Sequence, residues 1–393
     1  MREGWQIRPL GEVCEIYNGG TPSTNIPEYW DGGIQWITPK DMGKSKDMYV
    51  SHCERTISQE GVEHSSTKVL PERSVIVSSR APIGYVAINE VPMATNQGCK
   101  GFVLGKEIYP EFLYYFLLSS TDLLNKLGTG ATFKEVSGKK LAGIELPFPS
   151  IPEQHRIVDI LDKEFAKIDA LKANAEKSLQ AAKDLFQATL KKELEPKEGW
   201  RSHKLNEIYD VRDGTHDSPK YYLSGYPLAT SKNLRNGIVD LSNVKLISKQ
   251  DYEKINERSK VDVGDVLFAM IGTIGNPCLV ETEPNYAIKN MALFKVPKNQ
   301  SGKLLKYILS TDDVLNEMRG QSKGSNQPFV SLGYLRNFII TIPNSFDEQV
   351  RLVARLDDLN EKCNALQNNY QKTLSLCDDL KQSLLRKAFN GEL

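Results

Sequence analysis

The 393-residue sequence has no long apolar run, no closely paired cysteines and only five histidines, and each shortage removes a class of protein. No stretch approaches the ~18 apolar residues that a membrane span requires, and the opening MREGWQIRPLGEVCEIY lacks the basic-then-apolar pattern of a secretory leader. A cytoplasmic protein without a membrane partner is expected. The six cysteines at 14, 53, 99, 278, 363 and 377 form no CxxC pair, so neither a zinc ribbon nor a disulfide framework is indicated, and they read as reduced thiols. His52, Cys53 and His64 are isolated, and no metal site is expected. An excess of charge is missing too, since 50 Lys and Arg balance 50 Asp and Glu, which argues against a protein held on nucleic acid by a bulk positive field. The distribution is less even: residues 197–344 carry 20 basic and 16 acidic side chains, a difference of +4, while residues 1–150 carry 15 and 17, a difference of −2.

What is present is a duplication. Glu3-Gly4-Trp5 recurs as Glu198-Gly199-Trp200, and Glu153-Gln154 recurs as Glu348-Gln349, each 195 residues later. The same shift aligns Leu161-Asp162 with Leu356-Asp357, Ala170-Leu171 with Ala365-Leu366, and Asp184-Leu185 with Asp379-Leu380. Each copy reads as a mixed segment with short β-rich runs such as SVIVSS (74–79) and DVLFAMI (265–271), punctuated by Gly and Pro, followed by a helical tail. The expected fold class is α+β, with domains at 1–150 and 197–344 and helices at 151–196 and 345–393. Glu153-Gln154 and Glu348-Gln349 fall at the helix starts, where an acid favours the positive end of the dipole, and helix initiation is sufficient to explain them.

In the second tail Leu352, Leu356, Leu359, Cys363, Leu366, Tyr370, Thr373, Cys377, Leu380 and Leu384 follow a 4-3 spacing, the pattern of a coiled-coil seam. The matching seam in the first tail is Ile157, Leu161, Glu164, Ile168, Leu171, Ala175, Ser178, Ala182, Leu185 and Thr189. Neither helix can bury its stripe alone, and pairing within one chain removes the concentration dependence of a dimer, so an intramolecular antiparallel pair is expected ahead of a homodimeric coiled coil. At ~1.5 Å per residue each helix would run roughly 60 Å, enough to set two domains about one DNA turn, ~34 Å, apart.

The runs GGTPSTNIPEYWDGGIQWITPKDMG (19–43), TGATFKEVSGKKLAGIELPFPSIPEQHRIVDILD (129–162), DGTHDSPKYYLSGYPLATSKNLRNG (213–237) and the terminal LLRKAFNGEL resemble the specificity subunits of type I restriction-modification systems across essentially the whole chain. The resemblance implies two target-recognition domains, each reading half of a split double-stranded DNA site, joined by helices that space them and dock two methyltransferase subunits. It further implies that those partners bind S-adenosylmethionine and methylate adenine N6, and that a motor-nuclease subunit joins for restriction. This chain itself is expected to be non-catalytic and to hold no cofactor. Consistent with that, it has no Asn/Asp-Pro-Pro-aromatic turn for a flipped adenine, and its nearest approach to a phosphate loop, Gly43-Lys44-Ser45, has Thr38 in place of the first glycine.

Base edges are read by Arg or Lys, by Asn or Gln, and by small groups, so loops rich in these are the candidate DNA contacts. In the first domain they are Thr21, Ser23, Lys40, Lys44, Arg80, Asn96, Gln97, Lys100, Thr132 and Lys134. In the second they are His216, Lys220, Lys232, Asn233, Arg235, Lys289, Asn290, Lys323, Ser325 and Asn326, with Lys289-Asn290 loosely aligned on Asn96-Gln97. Trp30 and Trp36 are read as packing under a turn rather than as stacking platforms. The competing readings are a coiled-coil scaffold with no DNA preference and an enzyme of unfamiliar site; the second would need clustered acids and a lysine on adjoining strands, which the sequence does not offer.

Overall fold

The repeat read from Gly4-Trp5 and Gly199-Trp200 is built into the backbone. In the computed structural model, which describes residues 4–44, 47–130, 134–322 and 328–393, the two glycines take φ of 84° and 85°. That left-handed turn is open to glycine at no steric cost. Each leads into a strand, Gln6–Pro9 or Trp200–Lys204, that pairs antiparallel with the strand preceding a long helix, Glu145–Phe148 or Ile339–Pro343. The chain divides into two compact units, residues 1–175 with 372–393, and residues 176–371. The helical tails are therefore not separate domains, because each unit takes part of both long helices.

The first unit contains a five-stranded sheet in the order Cys14–Asn18, Cys99–Leu104, Val75–Ser79, Ile83–Asn89, Tyr49–Val50. The helix Pro110–Ser119 covers it, with Phe112, Leu113 and Leu117 packed into a core that includes Phe102 and Ile88. A second, four-stranded sheet runs Thr56–Ile57, Trp30–Ile37, Met93–Thr95, Val69–Leu70, and its central pair is parallel. The second unit repeats this plan: a four-stranded sheet of Asp210–Asp213, Met291–Lys295, Val266–Ala269 and Gly275–Leu279 lies beside a three-stranded one of Lys245–Ile247, Tyr226–Thr230 and Ala287–Lys289. Its Tyr226–Thr230 and Ala287–Lys289 pair is again parallel. The α+β class expected from the mixed pattern holds for both.

The long helices are Ile151–Glu193 and Phe346–Phe389. Within the first unit Lys381 pairs with Asp169 and Lys172 with Asp378, each at 2.6 Å, and the Arg156 guanidinium donates to the carbonyl of Leu393 at 2.8 Å. Numbers rise along one helix as they fall along the other, so the pair is antiparallel. In the second unit Arg355 meets Glu193 at 3.2 Å in the same sense. Such exposed pairs fix orientation more than they stabilise, each contributing roughly 0–1 kcal/mol. Apolar burial does the rest: Ile157 and Leu161 enter the first core with Leu385 and Ala388, and Leu190 enters the second with Leu352 and Leu356.

Between those anchored ends the 4-3 seam needs correction. Ile168, Ala175, Ala182, Cys363 and Cys377 are buried, one position per heptad, while Leu359 and Leu384 are half-buried. Leu171, Leu185, Leu366 and Leu380, assigned to the seam by spacing, are 55, 53, 41 and 48 % exposed. A single facing helix covers a narrow line, and small residues at that line bring the backbones close, leaving the flanking leucines uncovered.

The repeated dipeptides have roles that helix initiation does not exhaust. Gln154 is fully buried; its carbonyl accepts from Tyr109 N (2.9 Å) and its amide donates to the carbonyls of Glu107 (2.8 Å) and Pro149 (2.9 Å). Gln349, also fully buried, accepts from Ser301 N (3.0 Å) and donates to Gln300 Oε1 (2.9 Å) and the Pro343 carbonyl (3.0 Å). Each glutamine ties a strand-to-helix loop to the start of a long helix. About two turns on, Asp162 accepts from the Tyr115 hydroxyl and Asp357 from the Tyr307 hydroxyl, beside the buried Leu161 and Leu356.

All six cysteines are free and buried. Burial pushes the Cys14 and Cys53 thiols up to about 12 and Cys278 up to about 11. Thiolate is the reactive form, so at pH 8 a thiol reagent such as DTNB should leave these three unmodified in the folded chain and modify them once guanidinium unfolds it. Stoichiometric labelling of Cys14 in the native protein would contradict this packing.

Candidate nucleic-acid interface

In both units the polar candidates gather where the short parallel strand of the smaller sheet ends. In the first unit Met93–Thr95 runs into Asn96-Gln97-Gly98, and the turn after Cys14–Asn18 docks on it, Gly20 N donating to the Thr95 carbonyl at 2.9 Å. A Cβ on Gly19 would fall 1.9 Å from the Asn96 carbonyl, so only glycine lets these two loops touch. The contact places Thr21 on Asn96 and Gln97: Asn96 Nδ2 donates to Thr21 Oγ1 (3.1 Å) and Gln97 Oε1 (3.0 Å), and the Thr21 hydroxyl donates to Gln97 Oε1. Lys100, nearly buried, bonds the Gln97 carbonyl (3.2 Å) and Glu135 (3.2 Å), and Arg80 lies 3.9 Å from the same carboxylate.

The remaining first-domain candidates are more dispersed. Lys40 and Lys44, on the helix Pro39–Lys44, share Glu54 at 3.1 and 2.6 Å, which partly neutralises both. Ser23 contributes its carbonyl to Trp30 Nε1 (3.1 Å), and Lys134 is exposed; Thr132 lies outside the described residues. Trp30 and Trp36 are both buried, edge to face at 5.1 Å, with Trp36 Nε1 donating to the Gly20 carbonyl at 3.0 Å. They support the loop that carries Thr21 from below.

In the second unit Ala287–Lys289 leads into Asn290, and Thr215 N donates to the Ile288 carbonyl at 3.0 Å. The loose alignment of the two loops is therefore one residue out: by strand register Lys289 matches Thr95 and Asn290 matches Asn96. The second loop is also two residues shorter: Asn290 alone separates its strands, and the buried Met291 opens the next strand as Cys99 does, Gly214 N donating to the Met291 carbonyl as Gly19 N does to that of Cys99. His216, 195 residues after Thr21, occupies the corresponding place. Its Nδ1 is 2.9 Å from Asn290 Oδ1 and its Nε2 2.8 Å from Asp213, which also pairs with Arg258. Lys289 is nearly buried and donates to Ser218 Oγ at 2.6 Å.

Lys289 and Asn290 line a cleft of about 530 Å³ together with Lys232, Asn233, Tyr221 and Lys245. Asn233 faces it from a buried position with its amide committed: Oδ1 accepts from Thr230 N (2.9 Å) and Oγ1 (3.0 Å), and Nδ2 donates to the Asp240 carbonyl (2.9 Å). It shapes the loop that carries Lys232 and Arg235, whose side chains are exposed. Lys220 sits 5.7 Å over Tyr222, whereas Lys245 sits 4.2 Å over Tyr221. Tyr221 and Lys245 were missed from the sequence, although the basic-aromatic run KYY next to Lys220 carried the signal. Lys323, Ser325 and Asn326 lie outside the described residues. The arrangement offers amides, a hydroxyl, an imidazole and lysines on two loops, chemistry suited to base edges and phosphates.

A family model described as the type I restriction modification DNA specificity domain matches this chain twice, over residues 2–181 and 197–376. The chain belongs to that family. Its members include the Type I restriction enzyme MjaIX specificity subunit of Methanocaldococcus jannaschii, 29% identical over 99% of this chain and 93% of that one. The EcoKI specificity subunit of Escherichia coli K12 is 24% identical over 100% of this chain and 90% of its own. Among solved structures, a chain from a study of complex assembly and conformational transition in the type I R-M system matches with a TM-score of 0.79 at 20% identity, covering 100% of this chain and 99% of that chain. The HsdS subunit of Thermoanaerobacter tengcongensis matches at 0.57 and 19%, covering 100% and 98%. The two family matches begin 195 residues apart, the offset of the repeat, so each specificity domain of the family comprises one mixed domain and most of the helix after it.

Proposed function

We propose that the chain is the DNA-reading specificity subunit of a type I restriction-modification complex, in which each repeated domain reads one half of a bipartite duplex site. Partner methyltransferase subunits bind S-adenosylmethionine and methylate adenine N6, and a motor-nuclease subunit uses the same address for restriction; this chain catalyses neither step. The observation that carries the reading is the recurrence, in two domains that each match the specificity family, of one polar loop junction: Asn96 held by Thr21, and Asn290 held by His216. A scaffold indifferent to DNA sequence would have no use for an amide fixed at the same topological point twice. The outward helix faces are the proposed docking surface for the methyltransferase subunits.

The test is the methylome of a methylation-deficient host expressing the neighbouring methyltransferase subunit with and without this chain. A split motif carrying N6-methyladenine on both strands should appear only when the chain is present. Methylation that persists without it would end the specificity assignment, and a stable complex that methylates nothing would favour the scaffold. Exchanging residues 4–148 for the matching domain of another family member should change one half of the motif and leave the other half as it was.

A further inference from the structure

Gln97 is exposed at the tip of the first domain's junction, and its amide is oriented by a chain of hydrogen bonds that begins at a backbone N–H. Gly98 N donates to Asn96 Oδ1 at 2.7 Å, which fixes the Asn96 carbonyl on the backbone side. Asn96 Nδ2 must then face the other way, where it donates to Thr21 Oγ1 (3.1 Å) and to Gln97 Oε1 (3.0 Å). The Thr21 hydroxyl also donates to Gln97 Oε1. An amide oxygen has two lone pairs, and both are now taken, so Gln97 retains acceptor capacity for nothing else. Its Nε2 has no partner among the described residues, and it carries two hydrogens.

We infer that Gln97 is a donor-only base reader in the first half-site, with Asn96 and Thr21 as its positioning residues. The inference rests on the DNA-reading function proposed above. In the major groove a glutamine usually pairs with adenine by accepting from N6 and donating to N7. Here the accepting half of that pairing is occupied by the protein. Adenine would set its N6 amino group beside the Gln97 amino group, donor against donor. The edges that suit a lone donor are those of guanine, with neighbouring O6 and N7 acceptors, and thymine, with O4. The second domain cannot work this way, since Asn290 alone joins its two strands and no residue stands in the place of Gln97, and among the described residues Asn290 Oδ1 has one partner, His216, leaving one lone pair free. The two halves of the molecule thus differ in amide chemistry at one shared position.

The experiment uses the full chain in complex with its methyltransferase subunit, selecting from duplex DNA pools randomised across the recognised site. Wild type should select guanine or thymine, and not adenine, at one position of the first half-site. Gln97→Ala should flatten that preference by at least about fivefold and keep the second half-site, which also shows that the complex is folded. Gln97→Glu, which turns the outward atom into an acceptor, should move the preference to cytosine or adenine. Thr21→Val should relax the same position by freeing the amide to rotate, and Thr21→Ser should restore it, a rescue that a purely structural contact at this exposed site would not produce. Unchanged selection in Gln97→Ala, or adenine selected at the affected position by wild type, overturns the inference while leaving the DNA-reading function intact. A wild-type complex that selects no sequence at all overturns that function first.

Discussion

Gln154→Glu is expected to destabilise the first unit by about 3 kcal/mol or more, seen as a fall of roughly 6–12 °C in its melting transition. The substitution keeps the side chain's shape and changes one group, so the loss reports the amide N–H bonds together with the cost of a buried carboxyl. In the wild type Nε2 donates to the Glu107 and Pro149 carbonyls from a fully buried position. A carboxylate there accepts only, and it faces two carbonyl oxygens with lone pairs toward lone pairs. Each buried group left unsatisfied costs about 1–3 kcal/mol, and the buried charge adds to that. Protonation regains one bond of the two. Gln349→Glu should act on the second unit in the same direction but by less, because one of its two acceptors is the Gln300 side-chain amide, which can turn its own N–H toward a carboxylate, while the other is the fixed Pro343 carbonyl. Differential scanning calorimetry of the three proteins decides the matter: a shift under 2 °C for Gln154→Glu would mean that the loop closes without this amide.

That glutamine also shows how far the sequence could be read. Its recurrence 195 residues on was plain, but a Glu-Gln pair at a helix start has a sufficient explanation in the helix dipole, and nothing along the chain says that the loop at Glu107–Tyr109 folds back over it. The duplication, the α+β class and both helix starts were legible because they depend on period and order. The seam was legible in part. Spacing marks which residues share a helix face, yet it cannot say how much of that face a partner covers, and so Ile157, Leu161, Leu352 and Leu356 were placed among buried residues while Leu171 and Leu380 were not distinguished from them. At the loop junction the residue types picked out Thr21, Asn96 and Gln97, which the fold brings together, since amides and hydroxyls near glycines mark close approach. Which atom faces outward depends on Gly98 N, whose direction only the folded backbone supplies. The shorter loop of the second unit, where Asn290 alone replaces Asn96-Gln97-Gly98, was hidden for the same reason, because strand ends, not residue identities, set the register.

Arg73→Met is the other substitution expected to have a large effect, about 3 kcal/mol at neutral pH, and its pH dependence distinguishes charge from packing. Glu111 opens the helix Pro110–Ser119 with its side chain almost fully buried, and Arg73 grips both carboxylate oxygens at 2.6 and 2.9 Å while the Tyr49 hydroxyl donates at 2.7 Å. Burial by itself pushes the Glu111 carboxyl up, but the bonds from Arg73 and Tyr49 outweigh it and hold the group below the ordinary carboxylate value. A group whose value is lowered on folding contributes stability that is complete above its unfolded value, about 4.3, and that is lost as the pH falls through the folded value. In Arg73→Met the same carboxylate is buried without its cation, so its folded value rises and acid relieves the penalty. The gap between wild type and variant should therefore be largest near pH 7 and shrink toward pH 4. The Arg73 side is open to water, which puts the effect at the lower end of the 3–5 kcal/mol typical for breaking a buried pair. Urea midpoints for both proteins at pH 7.5 and 4.5 measure it. An equal gap at the two pH values would show that Arg73 acts through the packing of its stem against Tyr109, over whose ring its guanidinium lies at 5.8 Å, and not through the charge of Glu111.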